Sequence, residues 1–273
     1  MEPAPFQVTR AGVTLEGEAA GDGAPIVLLH GLSATRRNVV QGSRHLVKRG
    51  YRLIAYDARG HGASSPAESY GYAELVADLA AVLAHLELER AALVGSSMGA
   101  ATAMAFALEH PERVPALVQV TPAYPGESRL EGEGWGRLAD ALEEGGVDAF
   151  VEVAQPDGIP ERWREVAREA TRQRMERHEH PEAVAAALRQ VPRSEAWKGL
   201  ARLGELEIPV LVVGSRDEAD ALHPLVVAQE YERRLPRAEL AVEDEGKSPL
   251  AWQGARLSSA IGDFLERVGY APS

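Results

Sequence analysis

Cysteine is absent from the 273 residues. That removes disulfides, thiolate nucleophiles and cysteine-held metals from consideration. Lysine is nearly absent as well, occurring only at Lys48, Lys198 and Lys247, so arginine carries almost all of the positive charge. The balance is acidic, with a net charge of −12 at pH 7. A nucleic-acid binder needs a basic face and an anionic membrane surface attracts one, so neither partner is expected. No apolar run approaches the length of a membrane-spanning helix. The opening MEPAPFQVTR has neither the basic start nor the apolar stretch of a signal peptide. A cytoplasmic location is the default expectation.

What remains is a globular composition, 45% hydrophobic and 26% charged, in a chain long enough for one α/β domain with an insertion. Short alternating runs at Phe6–Thr9 and Val13–Glu18 flank a glycine turn and predict an edge hairpin. Near-continuous apolar runs predict strands buried on both faces at 26–30, 51–57, 91–95, 115–120, 208–214 and 238–243. Helical spacing fills the intervals, at about 36–49, 70–88 and 98–110, then again from Pro224 and from Pro249 to Val268. Such alternation implies a parallel sheet with helices on both faces. It breaks after Pro125, where residues 126–200 are rich in Arg and Glu and lack a strand pattern. This stretch is expected to be an inserted helical cap, with 1–125 and 201–273 forming the core.

One motif carries chemistry. Gly95-Ser96-Ser97-Met98-Gly99 is a G-x-S-x-G pattern, led in by an apolar strand and led out by an apolar helix. A serine on so sharp a turn is pushed out at the C-terminal end of its strand. Glycines flank it because a side chain there would strike neighbouring backbone. The helix start beneath favours a developing anion. His30-Gly31 closes one strand, and Asp57-Ala58-Arg59-Gly60-His61-Gly62 follows the next.

Taken in this order, the motifs resemble those of the α/β-hydrolase superfamily over nearly the whole chain. The resemblance implies a mostly parallel eight-stranded sheet flanked by helices, with the cap inserted after the sixth strand. It implies Ser97 as nucleophile and the backbone N–H groups of Leu32 and Met98 as the oxyanion hole, donors whose loss typically costs ~10²–10³ in rate. His30 and His61 belong to the fold motifs, where a histidine holds loop backbone. The acid is expected in the turn "GSRDEADALHP": Asp217 stands at the usual distance from the strand, and Asp220 at the usual distance before Pro224. No metal and no organic cofactor is implied.

The departure lies in "VEDEGKSPLAW". Where the superfamily places Gly-His, this chain has Gly246-Lys247. An imidazole takes the serine proton while an acid orients it. A lysine ordinarily titrates near about 10.4, so serving as a base near neutrality costs roughly 4 kcal/mol. Burial pushes in that direction and a nearby aspartate pushes back. Three readings stay open. Lys247 is a desolvated base, or a histidine such as His223 replaces it, or Ser97 is inactive and the cleft binds a ligand. The expected activity is hydrolysis of a small apolar ester or related acyl substrate. A binding protein, or a lyase or perhydrolase, is the alternative. The variant Lys247→His is expected to raise esterase turnover if the slot and its acid are intact. A fall in turnover would show that Lys247 is already at work or holds the site together.

Overall fold

The computed structural model describes residues 2–124, 133–154, 161–217, 220, 222–245, 252 and 254–272. Eight strands form one sheet in the order β1-β2-β4-β3-β5-β6-β7-β8. The edge hairpin is β1 (Ala4–Arg10) and β2 (Val13–Ala20), paired antiparallel, and β2 continues antiparallel onto β4 (Arg52–Tyr56). From there β3 (Pro25–Leu29), β5 (Ala92–Ser96), β6 (Leu117–Val120), β7 (Val210–Gly214) and β8 (Ala238–Val242) run parallel. The sheet is the mostly parallel one that the sequence motifs imply.

Alternation along each strand feeds two separate cores. Ile26, Leu28, Val94, Val118 and Val213 face α1 (His45–Lys48) and α8 (Ala255–Arg267) through Leu46, Leu257, Ile261 and Phe264. Val27, Leu29, Leu93, Leu117 and Val212 face α2 (Tyr72–His85), α3 (Met98–Glu109) and α7 (Leu225–Arg234). Because both faces are covered, the inner strands read as unbroken apolar runs.

Between β6 and β7 lie α4 (Glu133–Val153), α5 (Glu161–Met175) and α6 (Pro181–Gln190). They share a small core of their own, in which Ala139, Leu142, Phe150, Met175, Val184 and Leu188 are buried. Gly146 breaks α4 into two segments with φ of 66°. Among the described residues, no helix is long and apolar enough to cross a membrane.

One expected element is largely missing. The helical spacing over 36–49 yields only the single turn α1, and residues 36–42 form turns instead. Local polar bonds defeat the helix here. Asn38 Oδ1 accepts from Thr35 N and Thr35 Oγ1, Arg36 N donates to Asp57 Oδ1, and Gln41 and Gly42 sit at positive φ. The last helix also starts later than Pro249, at Ala255; residues 249–251 lie outside the described residues.

α3 packs against the sheet at backbone distance. A Cβ on Gly99 would overlap the carbonyls of Leu29 and His30, and one on Gly95 would overlap the Gly99 carbonyl. Gly136 has open space where its Cβ would be. Gly99→Ala is therefore expected to lower the unfolding free energy by about 2 kcal/mol or more, while Gly136→Ala raises it by up to about 1 kcal/mol. Urea titration of both variants checks this, and equal effects would refute the packing argument.

Candidate active site

Ser97 follows β5 directly and opens α3. Its φ of 52° and ψ of −112° lie in the left-handed half of the map, which costs a non-glycine residue about 1–3 kcal/mol. The close approach of Gly95 and Gly99 fixes this turn, and Ser97 N–H donates to Val120 O at 3.2 Å. Met98, next in line, starts the helix, so its N–H is one of the four with no partner inside the helix. The end of β3 runs alongside. A Cβ built on Gly31 would stand 3.4 Å from Ser97 Cβ and 4.0 Å from Ser97 Oγ. The elbow and the His30-Gly31-Leu32 turn thus share one side of the cleft.

The segment after Gly31 is clamped amide by amide. Ser33 N–H donates to His61 Nε2 at 3.3 Å, Ala34 N–H to Gly31 O, Thr35 N–H to Asn38 Oδ1 and Arg36 N–H to Asp57 Oδ1. Among the described residues the Leu32 N–H has no such partner. Among the described residues, neither the Leu32 N–H in its loop nor the Met98 N–H at the helix start has a backbone or side-chain acceptor.

Three buried histidines hold this clamp. His30 Nε2 accepts from Ala58 N–H at 2.8 Å, and its Nδ1 donates to Gly31 O. His61 Nε2 accepts from Ser33 N–H while Nδ1 donates to Arg59 O. His178, just past α5, accepts from Gly62 N–H through Nδ1 at 2.8 Å and donates from Nε2 to Ser33 O at 3.2 Å. Each ring keeps one nitrogen as an acceptor, so each is a neutral imidazole of defined tautomer. Ring centroids stand 5.2 Å apart for His30 and His61, and 5.6 Å for His61 and His178. Burial, reinforced by the neighbouring ring, lowers His30 and His178 to about 3; burial also lowers His61.

The motif carboxylate and guanidinium complete the frame. Asp57 receives Arg36 and the Ala63 N–H, and a Cβ on Gly62 would overlap its carboxylate. Arg59 donates to Asp78 of α2 through Nε at 2.7 Å and Nη2 at 2.8 Å, and to Ser69 O through Nη1. His30 and His61 therefore act on loop backbone, as their motif positions imply, and His178 joins them from the other side of the insertion.

Across the sheet, the turn after β7 holds both candidate acids. Asp217 shapes it: its N–H donates to Ser215 Oγ and its carbonyl accepts from Asp220 N–H. Asp220 Oδ2 lies 2.6 Å from His223 Nδ1. Burial works to raise the Asp220 carboxyl, and the hydrogen bond and charge of His223 overcome it, leaving it below the ordinary carboxylate value. His223 Nε2 is buried and has no hydrogen-bond partner among the described residues. Lys247 lies outside the described residues. Glu243, which the sequence gives no reason to single out, is buried at the end of β8. It accepts from Ser215 Oγ at 2.9 Å, Arg216 N–H at 2.7 Å and Trp252 Nε1 at 3.2 Å, and so fixes the base of this turn.

Aromatic side chains pack beneath the inserted helices. Tyr124, Trp197 and Tyr231 form a buried edge-to-face stack in which Tyr124 Oη donates to Trp197 O. A surface concavity of about 600 Å³ is lined by Ser69, Glu143, Arg189 and Gln190 and not by Ser97.

An elbow serine beside a clamped backbone loop, at the C-terminal ends of the central parallel strands of an eight-stranded sheet, is the arrangement of the α/β-hydrolase class. The sequence matches the α/β hydrolase fold family over residues 24–253, and the chain belongs to that family. It is 28% identical to the AB hydrolase superfamily protein YisY of Bacillus subtilis over 271 residues, covering 94% of this chain and 97% of that one. Its fold is similar to that of a thermophilic esterase from Thermogutta terrifontis, with a TM-score of 0.80, 27% identity, and 98% and 99% of the two chains covered. An enol-lactonase from Burkholderia xenovorans LB400 gives a TM-score of 0.79 at 20% identity, covering 96% of this chain and all of that one, a likeness of fold alone.

In the unfolded chain an imidazole takes its proton near about 6.5, whereas native His30 and His178 resist it down to about 3. The unfolded state therefore binds more protons between those limits. Stability is full above the upper limit and is lost as pH falls toward the lower one, by up to about 1.4 kcal/mol per pH unit for each proton. His178→Gln keeps an acceptor and a donor without a titrating ring. Its unfolding free energy is expected to fall less steeply on acidification, by about one proton, in urea melts between about pH 6 and 4. An unchanged slope would sink the assignment.

Proposed function

We propose that the protein is a serine hydrolase of small esters or related acyl compounds. Ser97 is the nucleophile, Leu32 and Met98 N–H form the oxyanion hole, and Asp220–His223 is the acid–base pair. The observation that carries the reading is Ser97 itself, held at positive φ between two glycines that admit no side chain and 4.0 Å from where a Gly31 Cβ would stand. Membership of the α/β-hydrolase family and the esterase neighbour support hydrolysis.

His223 is favoured as the base by its bonding. With Nδ1–H donating to Asp220, the lone pair resides on Nε2, which is buried and unused among the described residues. This is the arrangement an imidazole needs to take a proton. β5 and β7 are two strand spacings apart, about 10 Å, a span that serine and histidine side chains can close from facing turns. In the reaction Ser97 Oγ attacks the acyl carbon as its proton passes to His223 Nε2. The oxyanion is held by the two backbone amides until the alcohol leaves with that proton. Water then repeats the sequence in reverse and frees the acid. Asp220 stays ionised and stabilises the imidazolium. Helices α4–α6 serve as the roof that excludes water.

Intact-mass detection of a fluorophosphonate adduct tests the reading. One adduct is expected on the native protein and none on Ser97→Ala. Labelling rate is expected to fall ~10²–10⁴-fold in His223→Ala and far less in Lys247→Ala. The reverse order would transfer the base role to Lys247. No adduct on folded native protein would leave a ligand-binding protein that has kept the cleft and lost the chemistry.

A further inference from the structure

Cap helix α5 carries one residue that no structural need explains. Ala167, Thr171 and Arg174 follow one another at helical spacing along one face of α5, and His178 lies just beyond its end. That face turns inward, for Met175 is buried against the insertion core that also receives Leu32, and His178 bonds Ser33 O and Gly62 N–H. Arg174 lies in the last turn of α5, four residues before the His178 that bonds the Leu32 loop. Its Nε is buried and has no hydrogen-bond partner among the described residues, and no ion pair holds its guanidinium there. The arginines on the outer face of the same helix behave differently: Arg168 pairs with Glu152 and Arg172 with Asp148.

Among the described residues, Asp220 is the opposing charge whose field favours the Arg174 cation against the cost of burial. The Asp220 carboxylate is itself engaged by His223 Nδ1 and makes no hydrogen bond to the Arg174 Nε. A buried guanidinium with unused donors is costly, and an anion in the same cleft removes that cost. The planar fork of an arginine matches a carboxylate in two parallel bonds.

We infer that Arg174 forms a carboxylate-binding subsite in the cleft between the Leu32 loop and the Asp220 turn, so that the preferred substrates carry a carboxylate in the acyl group, as half-esters of small dicarboxylic acids do. The inference rests on the hydrolase reading of Ser97 for its catalytic consequence and on Arg174 alone for binding.

Two substrates of equal carbon count separate the terms: monomethyl succinate, with a terminal carboxylate, and methyl butyrate, with a methyl in its place. The ratio of their kcat/KM values is expected to favour the anionic ester in the native protein. It is expected to fall roughly tenfold or more in Arg174→Gln and to be partly restored in Arg174→Lys. A purely structural role would lower both substrates alike and leave the ratio in place, which overturns the subsite. Binding is read separately, by calorimetric titration of succinate into Ser97→Ala and into the Ser97→Ala, Arg174→Gln double variant. Loss of succinate binding in the double variant supports the subsite even if Ser97 forms no adduct. Absence of binding in Ser97→Ala, or equal binding in both, overturns it.

Discussion

The contact on which the site depends is one between backbones. Gly99 lies against the carbonyls of Leu29 and His30, and Gly95 against the carbonyl of Gly99, at separations that leave no room for a methyl group. This approach draws the start of α3 under the end of β3. It leaves the residue between strand and helix no option but positive φ, and that residue is Ser97. The strain is sustained because the surrounding packing over-determines it: Ala100, Ala101, Ala103 and Met104 of α3 are all buried. Small residues in the helix, two glycines in the turn and a half-buried serine at its apex are thus one physical fact seen at three positions.

From this contact the rest of the cleft follows outward. Gly31 reaches Ser97 because β3 is the immediate neighbour of β5. The loop beyond it keeps its shape through polar bonds to Asp57, His61 and His178 rather than through apolar packing. With four successive amides of that loop engaged, the Leu32 N–H is left without a partner among the described residues, which supports its proposed place in an oxyanion hole. The histidines can do this because burial keeps them uncharged and therefore able to accept as well as donate.

Much of this was legible in the sequence. Inner strands declare themselves as unbroken apolar runs because both sheet faces are covered, and the elbow declares itself through glycines whose spacing is dictated by sterics. The roles of His30 and His61 as backbone holders follow from their place in the motifs that the family resemblance rests on. The illegible parts are those decided by partners far along the chain. Nothing in the sequence says that Asn38 would unmake a helix by bonding Thr35, or that Glu243 would be the buried anchor of the β7 turn. Counting along that turn cannot choose between Asp217 and Asp220. The bond to His223 singles out Asp220 as the carboxylate that orients an imidazole, because the turn folds back on itself over three residues. Arg174 sits in a run of arginines, and only its inward face separates it from the solvated ones.

His178 touches both sides of the seam between the inserted helices and the sheet-bearing part, receiving the Gly62 N–H and donating to Ser33 O. That has a bearing on how such insertions are exchanged, in evolution or in the laboratory. An α4–α6 segment transplanted from a relative without an acceptor at this point would bury the Gly62 amide unpaired and release Ser33 from one of its two ring partners. The insertion is therefore not a freely interchangeable module. Its compatibility is written into a single side chain beyond the end of α5, and grafted chimaeras that keep this residue start from an intact seam.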